Sequence, residues 1–164
     1  MVIALAGCLA AAACGFQPLY AERDSDPGIR AALAEVEVAP IPDRLGQVVR
    51  NDLQDRLTPY GAPASGAYRL VVSLNATKEG YGFRGDEAVT REAVRLEAPF
   101  QLVDQATGEV LLADTVSATA SYDVVQSDFA TLSAERDAER RTADEVGAVI
   151  AARVGLYFRA RDPE

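Results

Sequence analysis

The only thiols in this 164-residue chain are Cys8 and Cys14, and both sit in its first apolar run. Their position points to acylation rather than to catalysis. Cys14 directly follows Ala11, Ala12 and Ala13 and precedes Gly15. A small-residue site closing an apolar segment is where a signal peptidase cuts. A cysteine left first after that cut is where bacteria attach diacylglycerol. Leu5-Ala6-Gly7-Cys8 is a closer match to such a site taken alone. Cutting there would leave almost no signal and an apolar start from Leu9 to Ala13, so Cys14 is the expected lipidation residue. The plainer alternative is a pair of small apolar residues in a buried N-terminal segment. No Lys or Arg precedes Cys14, although secretory signals open with a basic segment; an upstream translation start or a trimmed N-terminus accounts for that. The run 1–13 is shorter than the roughly 20 apolar residues a bilayer span requires.

Other chemistry is sparse. The chain has no histidine, so Ser-His and Cys-His pairs cannot be built, and the usual zinc sites are excluded. No GxxxxGK[ST] phosphate loop occurs. Gly80-Tyr81-Gly82-Phe83-Arg84-Gly85 matches G-x-G-x-x-G, but it falls between two strands and opens no helix, which predicts a twisted or bulged hairpin tip. Paired carboxylates such as Asp86 and Glu87 belong to a solvated surface. No enzyme and no cofactor are expected. The cations Lys78, Arg84, Arg91 and Arg95 fall on or beside one strand connection in an otherwise acidic chain. Arginine forks grip phosphates, so the four could touch a phosphorylated glycolipid; cross-strand pairing with Glu79, Glu92 and Glu97 is the alternative.

The formal charge of −9 argues against nonspecific nucleic-acid binding. Nothing after Tyr20 is apolar for long enough to cross a membrane. The expected organisation is a signal peptide over 1–13, a lipid-anchored tether over 14–30 and one domain over 31–164. Residues 21–30, with a Pro-Gly signal, read as a linker.

Within the domain, Val36 and Val38 alternate with Glu35 and Glu37 in a short strand that Pro40 and Pro42 end and push to a sheet edge. Asp43 is placed to cap a helix whose apolar face holds Leu45, Val48, Val49, Leu53 and Leu57. Tyr68, Leu70, Val72 and Leu74 then alternate with polar residues. So do Val94, Leu96, Ala98, Phe100 and Leu102, and after Thr107-Gly108 so do Val110, Leu112, Val116, Ala118, Ala120 and Tyr122. From about Phe129 the pattern is helical. Its densely charged part, Glu135 to Glu145, reads as solvated or extended past the sheet. Its second half presents Val146, Val149, Ile150, Val154, Tyr157 and Phe158 on one stripe. The predicted fold is α+β, a two-layer sandwich with a four-stranded, largely antiparallel or mixed sheet and two helices on one face.

The segment Cys14-Gly15-Phe16-Gln17-Pro18-Leu19-Tyr20 resembles the start of the mature LPS-assembly lipoproteins of the LptE family. There the lipidated cysteine is followed by Gly-Phe-x-Pro-Leu-Tyr. The rest of the chain is similar to that family in layout. The resemblance implies an outer-membrane lipoprotein on the periplasmic side, anchored through Cys14. It also implies that the protein plugs and helps assemble the β-barrel lipopolysaccharide translocon, with that barrel and lipopolysaccharide as partners and no nucleic acid. It carries over no lipopolysaccharide-binding residue by motif. An auxiliary lipoprotein of an ABC-type lipid transporter is the second reading, and a periplasmic adhesion or structural lipoprotein the third.

Overall fold

The apolar alternation centred on Phe100 builds the strand around which everything else is arranged. The computed structural model describes residues 27–59, 61, 66–83 and 89–161. In chain order it contains α1 (Pro27–Ala34), β1 (Val36–Val38), α2 (Asp43–Leu57), β2 (Tyr68–Val72), β3 (Asn75–Phe83), β4 (Val89–Asp104), β5 (Val110–Asp123) and α3 (Asp128–Arg161). β4 is central. It pairs antiparallel with β5 along one side and with both β2 and β3 along the other, and β1 joins β2 in parallel.

β2 and β3 are collinear. Val72 opposes Phe100 and Asn75 opposes Glu97, so one register runs through both. They part at Ser73 and Leu74 because of Pro99. Ser73 N–H donates to the Pro99 carbonyl at 3.0 Å, but proline has no N–H to return. The predicted four strands are therefore five, two of them halves of one line. Proline is normally confined to edges and bulges; here it sits mid-strand and interrupts its neighbour.

One face of the sheet is the core. Leu70, Leu96, Phe100 and Leu102 pack with Leu53 of α2 and with Val146, Ile150 and Val154 of α3, all essentially fully buried. Burying each large apolar side chain contributes about 1.5–3 kcal/mol. The other face stays wet: Arg95, Glu97, Gln101, Thr115, Ser117 and Thr119 are all exposed. Tyr68 meets Phe158 edge-on at 4.9 Å and closes one end of the core.

Several details depart from expectation. α1 begins at Pro27, inside the segment read as linker, because Ile29 is drawn into the core. Asp43 makes no side-chain cap bond; the cap residue is Pro42, and Asp43 itself takes a left-handed φ of 68°. Val110 is exposed, since the register slips by one between Leu102 and Val103 and turns it outward. The charged part of α3 is not merely solvated: Ala138, Thr142 and Ala143 are buried within it, and Ala138 packs with Val94 and Tyr122. The described part of the glycine-rich stretch carries the expected bulging, with register shifts at Gly80/Gly82 and Gly82/Phe83, and the rest of the tip lies outside the described residues.

Gly46 lies in the first turns of α2, where Ile41 folds back. A Cβ there would sit 2.8 Å from both the Ile41 carbonyl oxygen and its Cγ2. Helix propensity alone favours Gly46→Ala by about 1 kcal/mol. The clash with backbone dominates, and the expected outcome is destabilisation by about 1–3 kcal/mol, read as a lowered thermal midpoint. In the β4–β5 turn, the Thr107 N–H chiefly holds the Asp104 carboxyl below its ordinary 3.8, with help from the Ala106 N–H. A depressed carboxyl stabilises above its unfolded pKa and loses that contribution as pH falls through its folded pKa. The thermal-midpoint gap between wild type and Asp104→Asn is therefore expected at neutral pH and narrows below pH 3.8.

Candidate functional site

Strand alternation distributes the four cations expected to cooperate. Lys78 opposes Val94 and so shares the core-side face, whereas Arg91 and Arg95 belong to the open face. Arg84 lies outside the described residues, as do Cys8 and Cys14. The structure does not bring Lys78 together with Arg91 and Arg95.

Each described cation has its own surroundings. Lys78 is ion-paired with Glu135 of α3. That bond, with Glu135, Glu139 and Glu92 adding charge, raises the ammonium above its ordinary range against a smaller opposing cost of burial. Arg91 pairs with Asp123 across to β5 at 2.9 Å, and both side chains are largely exposed. Arg95 stands between Thr77 and Thr119 on the open face, exposed and with no ion pair among the described residues. Among the described residues no ion pair runs to Glu79, Glu92 or Glu97, although Glu92 adds charge near Lys78.

Around Lys78 the sheet and α3 enclose a polar layer. The Tyr122 hydroxyl donates to Glu92, and Arg44 of α2 pairs with Glu139. Burial, followed by the Glu92 contact, pushes the Tyr122 phenol well above its ordinary value and holds it as a donor. Every charge here has a counter-charge or a hydroxyl, and the layer docks α3 on the sheet. Among the described residues no group of three or more acidic or thiol side chains could hold a metal ion. No described helix is long and apolar enough to cross a membrane.

Two surfaces remain open. A hollow of about 470 Å³ lies on the wet face around Pro99, between Val71, Ser73, Gln101, Ala113 and Thr115. At the start of α3, Phe129 is 81% exposed and Leu132 44%. Arg136 and Arg140 follow at the same helical face, exposed and without an ion pair among the described residues. Sequence reasoning passed over this stripe; the available signal was an apolar pair at three-residue spacing with no apolar continuation on its own face.

The family described as lipopolysaccharide-assembly, LptE, matches residues 33–153, which takes in β1 to β5, α2 and most of α3. No curated protein matches the chain in sequence. Among solved structures, a Caulobacter crescentus protein described as a lipoprotein is similar at 22% identity and a TM-score of 0.69, over 84% of this chain and 99% of that one. The minor lipoprotein of Acinetobacter baumannii is similar at 18% identity and 0.56, over 75% and 92%. Rare lipoprotein B of Shewanella oneidensis is similar at 12% and 0.50, over 77% and 94%. At these identities the structures speak for the fold.

The geometry makes the Lys78–Glu135 pair a docking contact and Arg95 dispensable for folding. A double-mutant cycle on Lys78 and Glu135 is expected to give a coupling of about 0.2–1 kcal/mol that shrinks at high salt. Arg95→Ala is expected to leave chemical denaturation unchanged within about 0.5 kcal/mol.

With the match spanning the packed domain and its sheet-and-helix layout repeated in those lipoproteins, the chain belongs to the LptE family of outer-membrane lipopolysaccharide-assembly lipoproteins.

Proposed function

We propose that this protein is the lipoprotein subunit of the lipopolysaccharide translocon: anchored through Cys14, it plugs the outer-membrane β-barrel and helps it assemble. The family match over residues 33–153 carries this reading. Physical features support it. A plug in a polar lumen needs a rigid hydrophilic exterior, and the open sheet face offers Thr115, Ser117, Thr119 and Ser121 in line along β5. Lipid and tether raise the domain's effective concentration at the barrel, and bacterial lipoproteins carry more than one acyl chain, as stable anchoring requires. Lipopolysaccharide contact through Arg91 and Arg95 on the open face, with Arg84, belongs to the same proposal; Lys78 is engaged by Glu135.

The second reading, a lipid carrier working with an ABC-type transporter, calls for an apolar cavity between sheet and helices. That space is filled by Leu53, Phe100, Leu102 and Ile150, all essentially fully buried. The packing favours the translocon.

Affinity purification of the tagged full-length lipoprotein from detergent-solubilised outer membranes is expected to recover a large β-barrel in near equimolar amount, stable to high salt. Cys14→Ser is expected to lower the recovered complex by depleting the protein from that membrane. Recovery of inner-membrane transporter components instead would overturn the reading.

A further inference from the structure

The two long edges of the sheet are unlike. In β5 the backbone groups of Thr115, Ser117, Thr119 and Ser121 point away from β4, because Val124 N–H, of the opposite parity, bonds the Thr90 carbonyl at 2.9 Å. α3 fences this edge with two arginines. Arg141 donates to the Ser121 carbonyl at 3.1 Å, and Arg153 donates to the Thr115 carbonyl at 3.5 Å while ion-pairing with Asp114. Charged side chains laid on an edge oppose the addition of another strand.

Among the described residues the edge along β2 and β3 carries no such fence. β1 occupies its beginning: Tyr68 N–H bonds the Glu35 carbonyl at 3.1 Å, and Ala39 N–H bonds the Leu70 carbonyl at 2.9 Å. Val36 and Val38 enter the core there. Pro40 and Pro42 then divert the chain into α2. Past that point the outward groups of Val72, Leu74, Ala76 and Lys78 meet no backbone partner among the described residues. Leu74, on the core side of this edge, is only partly buried.

We propose that the β2–β3 edge over residues 72–78 accepts an extended segment of the translocon barrel, which adds to the sheet where β1 leaves it. The proposal rests on the translocon reading. Three observations favour a strand from a partner over a second copy, and the translocon reading makes that partner the barrel. The edge already takes one strand of the chain, so the new interface continues an existing one. A strand with apolar residues on alternate positions would cover the partly buried Leu74 on the core side and present polar residues beside Thr77 and Glu79 on the wet side. A second copy of this chain is disfavoured by the formal charge of −9 on each molecule.

Ala76 separates the edge from the fold. Its N–H points outward and its side chain is exposed, so Ala76→Pro removes an edge donor while leaving the bonds to β4, and proline on a free edge is tolerated. The full-length lipoprotein, wild type and Ala76→Pro, is purified from outer membranes, and the recovered barrel and single-amide hydrogen exchange are measured. The expected result is a wild-type complex in which the amides of Val72, Leu74, Ala76 and Lys78 become protected, while those of Ser73, Asn75 and Thr77 are protected with or without the barrel. Ala76→Pro, with an unchanged exchange pattern at Ser73 and Thr77, is expected to retain less barrel by about tenfold. An equimolar complex whose outward amides exchange as in the free protein overturns the edge proposal and leaves the translocon reading standing. Wild type that recovers no barrel overturns both. Outward amides protected in the isolated protein at twice its monomer mass would assign the edge to a second copy and overturn the proposal.

Discussion

The register of β4 is the constraint on which the rest depends. It is paired on both sides along almost its whole length, so its alternate residues are committed to faces twice over. Val94, Leu96, Ala98, Phe100 and Leu102 all face the core. A slip of one residue against either neighbour would put Arg95, Glu97 and Gln101 under α3. Pro99 removes one donor from the β3 side but not the register, because the Ser73 bond to its carbonyl spans the gap. The chain tolerates that loss since the pairing continues unchanged above and below it.

α3 reads this sheet with two kinds of contact along one helix. Its C-terminal half is held by volume: Ile150, Val154 and Phe158 fill the core. Its N-terminal half has little volume to offer, so Ala138 and Ala143 let it approach while Lys78–Glu135, Arg44–Glu139 and Tyr122–Glu92 satisfy the polar groups that close approach encloses. Exposed pairs contribute little each. Their role here is to fix the azimuth of a helix whose N-terminal half lacks a continuous apolar stripe, and that same azimuth lays Arg141 and Arg153 against β5.

Much of this was legible from residue spacing. Period two in Tyr68–Leu74, Val94–Leu102 and Val116–Tyr122 marked the strands and their inner faces, and the stripe from Val146 to Phe158 marked the docked helix. What escaped depends on contacts between elements far apart in sequence. Ile29 is helical because a core lies beside it, which no local signal announces. Asp43 looks like a cap, but Gly46 lets Ile41 approach so closely that the chain enters α2 through a left-handed residue instead. The cations from Lys78 to Arg95 form a cluster along the chain, yet alternation sends Lys78 to one face and Arg91 and Arg95 to the other. The sequence fingerprint at Cys14 lies outside the described residues, so the domain's family membership rests on residues 33–153 independently of it.

The molecule also has two unlike ends, and they bear on how a tethered domain would work. α1 seats Ile29 beside Tyr68 and Phe158, at the C-terminal end of α3. Phe129 stands at the other end, about 44 Å away at 1.5 Å per helical residue. On the lipid-anchored reading, residues 14–26 reach at most about 45 Å when fully extended, about the length of α3, so the tether sets which end of the domain it joins rather than how far that end stands from the membrane. The exposed Phe129 and Leu132, with Arg136 and Arg140 beside them, then project away from the tether's attachment. On the proposed translocon reading, a patch held at the far end of a rigid helix from the tether would suit a barrel entered end-on.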